Sequence, residues 1–303
     1  MIIHYKIHEL LPYVNWVFFY FAWSLKAKYA AVAEVLTTHD CPVCRENWIN
    51  SFATPEEQNE AREAMRLYLD AQDRLRQLEL DGVMAHCLFE LLPAYSEGDN
   101  IWVTRADGSS LCLPFLRQQH TQTERPNLCL SDFIAPKGYN DPSRTADRIG
   151  GFSTTVDDVA DLEDPYERML IQTLLDRLAE AAAEKLHQAV RTEYWGYAPD
   201  EKLTKAELLA EKYQGIRPAV GYPSIPDQSF NFLLYELIPM REIGVTLTEN
   251  GMMAPHASVS GLMFAHPQAH YFAIGAVSDE QLTDYAARRG TTLEKMRKFV
   301  PKS

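Results

Sequence analysis

Two long stretches patterned for helix bracket a set of strands joined by tight turns, and this order constrains the chain more than any other feature. A capping signal opens the first helix. Thr54 can accept from the backbone, Pro55 suits the first helical position and Glu57 completes a capping box. Ala61, Ala64, Met65, Tyr68, Leu75 and Leu78 recur at helical spacing, which predicts one buried face, and Gly82 ends the helix. Residues 83–116 read as strands. Val83 to Leu92 is mostly apolar, Ile101-Trp102-Val103 is short and β-prone, and Ala106-Asp107-Gly108-Ser109 is a hairpin turn leading into Leu111–Phe115. The second long helix runs from about Pro165 to Tyr194 with Asp164 as its cap. Strands linked by hairpins pair antiparallel, whereas a doubly wound sheet needs a crossover helix after each strand. The fold class is therefore α+β, a sheet flanked by helices.

The remaining segments fit the same class. Residues 117–151 are turn-rich, with Arg125-Pro126, Ala135-Pro136-Lys137-Gly138 and Asp141-Pro142. A short helix begins at Thr204 with a capping box to Glu207, and another lies near 228–238. Between them, Gly215-Ile216-Arg217-Pro218-Ala219-Val220-Gly221-Tyr222-Pro223 is excluded from regular structure by its prolines and glycines. Val245–Thr248, Asn250-Gly251 and Met252 onward read as strand, turn and strand. Tyr271–Val277 is a further strand, Ser278 to Gln281 a capping box for a helix that Gly290 closes, and 292–300 a last helix. The most apolar stretch, Tyr13 to Leu25, is shorter than the ~20 residues a bilayer requires and reads as buried core. Residues near 38–53 read as an insertion within one domain over 1–303, since no repeat, low-complexity tract or long linker divides the chain.

Composition removes several function classes. Of 303 residues 46% are apolar, enough for a sizeable core, and 29 basic against 42 acidic side chains leave a formal charge of −13. Such a surface argues against general nucleic-acid binding, which needs phosphate neutralisation, and against docking on anionic lipid, and leaves local basic patches open. Five cysteines (Cys41, Cys44, Cys87, Cys112, Cys129) form an odd, sparse set, and no signal-like segment opens the chain. A reducing, cytoplasmic compartment is expected. Gly-x-Gly-x-x-Gly, the phosphate-cradling Gly-x-x-x-x-Gly-Lys-Ser/Thr, Gly-x-Ser-x-Gly and His-Glu-x-x-His do not occur.

The densest functional candidate is Arg217 to Tyr222. An arginine on a backbone fixed by Pro218 and Gly221 presents a fork that can grip a carboxylate. Gly221 allows close approach to the main chain, free backbone groups can bond a flat heterocycle such as adenine, and Tyr222 can stack on it or close over it. From composition alone the run reads first as an ordinary loop whose arginine pairs a helix terminus. Glu180, set among alanines on the second long helix, is open to two readings, a carboxylate under a cleft or a solvated face. Glu211 shares that ambiguity, and Asn15-Trp16 can line a pocket or belong to the core. His256, His266 and His270 lie within fifteen residues, but their spacing matches no standard zinc arrangement. Cys41-x-x-Cys44 with His39 is half of a zinc knuckle whose only complement is His86-Cys87, or a weak redox signal; no metal ligand is assigned. Arg288, Arg289, Lys295, Arg297, Lys298 and Lys302 form either a solvated face or a docking patch for an acidic partner.

Taken together these stretches resemble one family. Trp16 with Phe18-Phe19 and Trp23-Ser24-Leu25, Asp132-Phe133-Ile134-Ala135-Pro136, and Asp176-Arg177-Leu178-Ala179-Glu180-Ala181 come first. Tyr194-Trp195-Gly196-Tyr197-Ala198-Pro199, Tyr213-Gln214-Gly215-Ile216-Arg217-Pro218-Ala219, and Gly221-Tyr222-Pro223 follow. Ala257-Ser258-Val259-Ser260-Gly261 and His266-Pro267 complete the set. In this order, from about Tyr5 to Val300, the chain resembles the C-terminal reactivation (S-adenosylmethionine-binding) domain of cobalamin-dependent methionine synthase.

The resemblance implies a C-shaped α+β domain with a bent antiparallel sheet and a shallow groove for S-adenosylmethionine. It implies that, after accidental oxidation of the cofactor to cob(II)alamin, flavodoxin or an equivalent reductant supplies an electron and the bound sulfonium donates its methyl, restoring methylcobalamin. Arg217 would hold the ligand's carboxylate, Ala219 would offer backbone contacts to the adenine, and Gly221 and Tyr222 would complete the motif. Glu180 and Glu211 would line the acidic side of the groove, and Tyr271 would reach the ligand. Methyl transfer from a sulfonium needs positioning rather than acid–base help, so no catalytic residue is assigned. Asn15 stands where the family has an aspartate that accepts from the ligand, which removes a charge-assisted bond. Asp-x-His-x-x-Gly and Gly-Gly-Cys-Cys, which a full methionine synthase needs for cobalamin and zinc, are absent. The expectation is a reactivation module, not a complete enzyme alone, acting on a cobalamin-binding chain or domain of methionine synthase. It either acts in trans on a separate cobalamin-carrying chain or is a fragment of a longer one, the opening Met1 leaning to the former. The competing expectation is a corrinoid-protein interaction module that no longer needs S-adenosylmethionine.

Overall fold

Strand β2 (Met84–Glu97) is long enough to pair with three others, and the sheet is built around it. The computed structural model describes residues 1–38, 40–119, 126–139, 147–159 and 162–300. They divide into two compact units, one of residues 4–86 with 156–182, the other of residues 1–3, 87–155 and 183 onward.

The first unit begins within β1 (Ile2–Lys6) and continues through α1 (Ile7–Leu10), α2 (Trp16–Ala22), α3 (Val32–Thr38), α4 (Pro42–Asn50) and α5 (Pro55–Leu80). In α5 the expected face is buried, from Ala61 to Leu78. Thr54 caps it as expected, accepting from the Glu57 amide at 3.2 Å. The Glu57 carboxylate also bonds the Ala53 amide and Lys28. The aromatic segment is only half core. Trp16, Phe19 and Tyr20 are buried, with Trp16 edge-on to Tyr68 and the Tyr20 hydroxyl donating to the Ala64 carbonyl. Phe18 and Phe21 are 54% and 51% exposed, because a single helix turns them away from α5.

The second unit holds most of the sheet. Strands β3 (Asn100–Thr104) and β4 (Ser110–Pro114) follow β2 in an antiparallel meander through the anticipated turn at 105–109. The order is β4-β3-β2-β5-β8, with β1 also on β2; β5 is Arg148–Val156 and β8 is Ser258–Met263. β5 was not expected, since 117–151 reads as turns. Every residue of β5 after Arg148 is buried, so it shows no alternation, and the Gly150-Gly151 pair interrupts its otherwise β-prone residues. β6 (Thr246–Leu247) and β7 (Met253–Ala254) form the small hairpin about Asn250-Gly251.

The second long helix is α6 (Pro165–Ala189), continued by a π turn over Val190–Tyr194, which gives the full expected length. α7 (Lys205–Leu209) carries the complete Thr204–Glu207 box, and α8 (Phe230–Leu237) is fastened to β8 by Ser260 donating to buried Asn231 at 2.6 Å. α9 is Asp279–Arg288. Ser278 caps it, but the Ser278 amide donates to Gln119 rather than to Gln281, whose Nε2 donates to the Arg117 carbonyl. α10 (Leu293–Met296) is shorter than the anticipated 292–300. Tyr271–Val277 is not a strand. The Ile274 amide donates to Pro223 and the Ala273 carbonyl accepts from Gln118, contacts to different segments that build no ladder.

Three arginines of the basic C-terminus are engaged within the fold, while Lys295 and Lys298 are exposed. Arg288 donates to Asn100 and the Phe115 carbonyl, Arg289 is 8% exposed and bonds Ser229, and Arg297 pairs with Asp279. His39, Arg125, Asp141-Pro142 and Lys302 lie outside the described residues. No described helix is long and apolar enough to cross a membrane.

Candidate functional site

The run from Gly215 to Pro223 carries the site. Though broken by proline and glycine, it lies extended along β8. Ile216 and Phe264 exchange both backbone bonds at 3.0 and 2.9 Å, the Leu262 amide donates to Pro218 at 3.1 Å, and the Val220 amide donates to Ser260 at 2.9 Å. Pro218 has no N–H to return, so the ladder is interrupted at its middle. As expected, the run forms no regular element, and isolated bridges to the β8 segment, at Ile216–Phe264 and Ala219–Gly261, hold it in place. Gly261 on β8 makes the approach possible, because a Cβ there would sit 2.2 Å from the Pro218 carbonyl oxygen. The run then turns sharply. The Gly221 amide donates to Ile225 at 2.8 Å, the Tyr222 amide to Ala219 at 3.3 Å, and Gly221 takes φ +86°, which favours glycine.

This backbone aims Arg217 inward. Its amide donates to the Tyr271 hydroxyl at 3.0 Å, and its guanidinium Nη2 donates to Glu184 Oε2 at 2.6 Å. The two side chains are 14% and 12% exposed. Arg217 thus pairs with a carboxylate inside α6 rather than with a helix terminus. Glu184 Oε1 is enclosed and has no partner among the described residues. An enclosed acceptor of that kind is costly unless a donor reaches it.

Behind the pair lies a second charged layer. Arg191 is fully buried, bonds Glu201 twice at 2.7 Å, and places its guanidinium carbon 4.2 Å from the Tyr213 ring centre. Tyr213 meets Tyr271 hydroxyl to hydroxyl at 3.2 Å and stands edge-on to His187. His187 is fully buried, and burial, then Arg191 and Arg217, hold its pKa well below 6.5. Burial raises the pKa of both tyrosines. Glu211 sits at φ +55°, and its carboxyl is pushed up by desolvation and Glu184 while Arg217 opposes the shift.

Six sequence candidates therefore fall in one unit. Arg217, Ala219, Gly221, Tyr222 and Tyr271 share the turn and its backing, and Glu211 feels the charge of Arg217. Ala219 is buried, bridging to Gly261, while Tyr222 is 50% exposed. Asn15 and Glu180 belong to the other unit. Asn15 is the N-cap of α2, its Oδ1 accepting from the Val17 amide at 3.1 Å, and Glu180 is half-buried on α6. Sequence reasoning missed Glu184, His187, Arg191 and Tyr213 as parts of the cluster. Glu184 stands one helical repeat after Glu180, which is a usable signal only once the buried face of α6 is known.

Among the described residues no group of three or more His, Cys, Asp or Glu is placed to hold a metal ion. His266 and His270 instead flank Phe133.

An antiparallel α+β module with a half-buried arginine–carboxylate cluster at a glycine turn is the class that these features define. Comparison makes the class specific. The profile of the vitamin B12-dependent methionine synthase activation domain matches residues 6–290. The crystal structure of the MetH reactivation domain bound to AdoHcy superposes with a TM-score of 0.79 at 34% identity, over 99% of this chain and 88% of that one. The chain belongs to the activation-domain family of vitamin B12-dependent methionine synthases.

Proposed function

We propose that this protein binds S-adenosylmethionine at the Arg217 turn and supports reductive methylation of cob(II)alamin carried on another chain or domain. The observation that carries the reading is the inward guanidinium of Arg217 beside the enclosed, unsatisfied Glu184 Oε1. A ligand bearing a carboxylate, an ammonium and a sulfonium needs one fixed cation and several acceptors. Arg217 answers the carboxylate; Glu184 and Glu211 answer the positive groups; Ala219, Gly221 and Tyr222 border the place for the adenosine. The similarity to a domain crystallised with AdoHcy supports this over an interaction module without ligand. When bound by a partner, the corrin metal supplies the methyl acceptor, and a flavodoxin-like reductant would supply the electron. This chain's own contribution is to bind and orient the sulfonium, since oriented reactions gain roughly 7–11 kcal/mol.

Isothermal titration with S-adenosylmethionine tests the reading. Saturable binding is expected, weakened about ten- to a hundredfold by Arg217→Ala, because a charge-assisted hydrogen bond contributes about 1.5–3 kcal/mol. Absence of heat at millimolar ligand would remove the proposal.

A further inference from the structure

Cys41-Pro42-Val43-Cys44 is untouched by the function above. Cys41 is the N-cap of α4, Pro42 takes the first helical position, and the Cys44 amide donates to Cys41 Sγ at 3.2 Å. The two sulfurs are 3.1 Å apart, and both residues are partly exposed. Asp40, whose charge would oppose a thiolate, is held by Arg45 in a two-bonded pair at 2.6 and 2.7 Å.

We propose that Cys41 and Cys44 form a reversible dithiol–disulfide site, with Cys41 attacking and Cys44 resolving, whose reactant is a small disulfide such as oxidised glutathione. The Cys41 thiolate attacks one sulfur of that disulfide; its S–S bond breaks and one glutathione thiol leaves. The Cys44 thiolate then attacks Cys41 Sγ, forming the Cys41–Cys44 bond and releasing the second glutathione thiol. The protein loses two electrons and two protons, and one small disulfide becomes two thiols.

The environment distinguishes this pair from the other cysteines. Hydrogen bonds from Cys44 lower the Cys41 pKa and the shared bond raises that of Cys44, an asymmetry suited to attacker and resolver. Cys87 and Cys129 are fully buried, burial lifting the Cys129 thiol to about 11, and burial also raises Cys112.

The test equilibrates the whole chain with mixtures of reduced and oxidised glutathione, traps free thiols with iodoacetamide and weighs the peptides. The peptide holding Cys41 and Cys44 is expected to lose two hydrogens in one two-electron transition that dithiothreitol reverses. Cys44→Ser should accumulate a glutathione adduct on Cys41, and Cys41→Ser should slow the reaction at least about tenfold. The proposal is overturned by no internal disulfide at any glutathione ratio, by adducts appearing first on Cys44 or Cys112, or by tightly held zinc that blocks oxidation. The wild-type measurement needs no variant, so a misfolded variant does not obscure the result.

Discussion

Arg191 is fully buried, and its charge is held by Glu201, itself 6% exposed, and the Tyr213 face. A buried pair broken on one side leaves an uncompensated charge, so Glu201→Ala is expected to cost about 3–5 kcal/mol, read as a loss of Tm. His187, one turn earlier, sets a pH limit. Its folded pKa lies well below the ordinary 6.5, so the folded state disfavours the protonated ring. Stability is therefore present above pH 6.5 and falls as pH drops below it, by up to about 1.4 kcal/mol per pH unit until the folded pKa is reached. His187→Gln should flatten that part of the Tm-against-pH curve between pH 7 and pH 5, whatever it does to the plateau. Asn15 offers a contrasting case. Because Asn and Asp cap equally well, Asn15→Asp should leave stability unchanged while Asn15→Ala loses about 1 kcal/mol by urea melting. The sequence singled out Arg217 and Glu211 by residue type and surroundings and Tyr271 only through the family resemblance, and the structure brings the three together. The sequence could not name Glu184 or Arg191, because only burial turns an ordinary helical charge into part of a cluster.

Elements with local signals were legible and those made by pairing were not. Long helices α5 and α6 announce themselves through caps and a period near 3.6, and the β2–β4 meander through its turn. β5 lies between β2 and β8 and is buried almost throughout, so alternation vanished from its sequence. Tyr271–Val277 shows the reverse error: β-prone residues with no ladder to join. The extended run on β8 depends on Gly261 having no side chain. Gly261→Ala would drive a methyl into the Pro218 carbonyl and is expected to displace residues 216–220. A loss of about 1–3 kcal/mol by denaturant titration, with S-adenosylmethionine binding weakened in parallel, is the outcome to look for. Unchanged stability would mean that the segment is not held where described.

For the whole molecule, charge sets the behaviour. A net −13 with a pI near 5.2 predicts a solubility minimum close to pH 5.2, measurable by precipitation, and no retention on DNA at physiological salt. The sequence by itself determined the α+β class, the major helices, the acidic surface and the Arg217 turn, since helical period, turn chemistry and net charge are local or additive properties. Tertiary structure alone decided that β5 fills the sheet, that Arg288 and Arg289 are internal tethers, and that Glu184, His187 and Arg191 gather behind the turn. Those outcomes depend on which surfaces lose water together, and that is fixed only when distant segments meet.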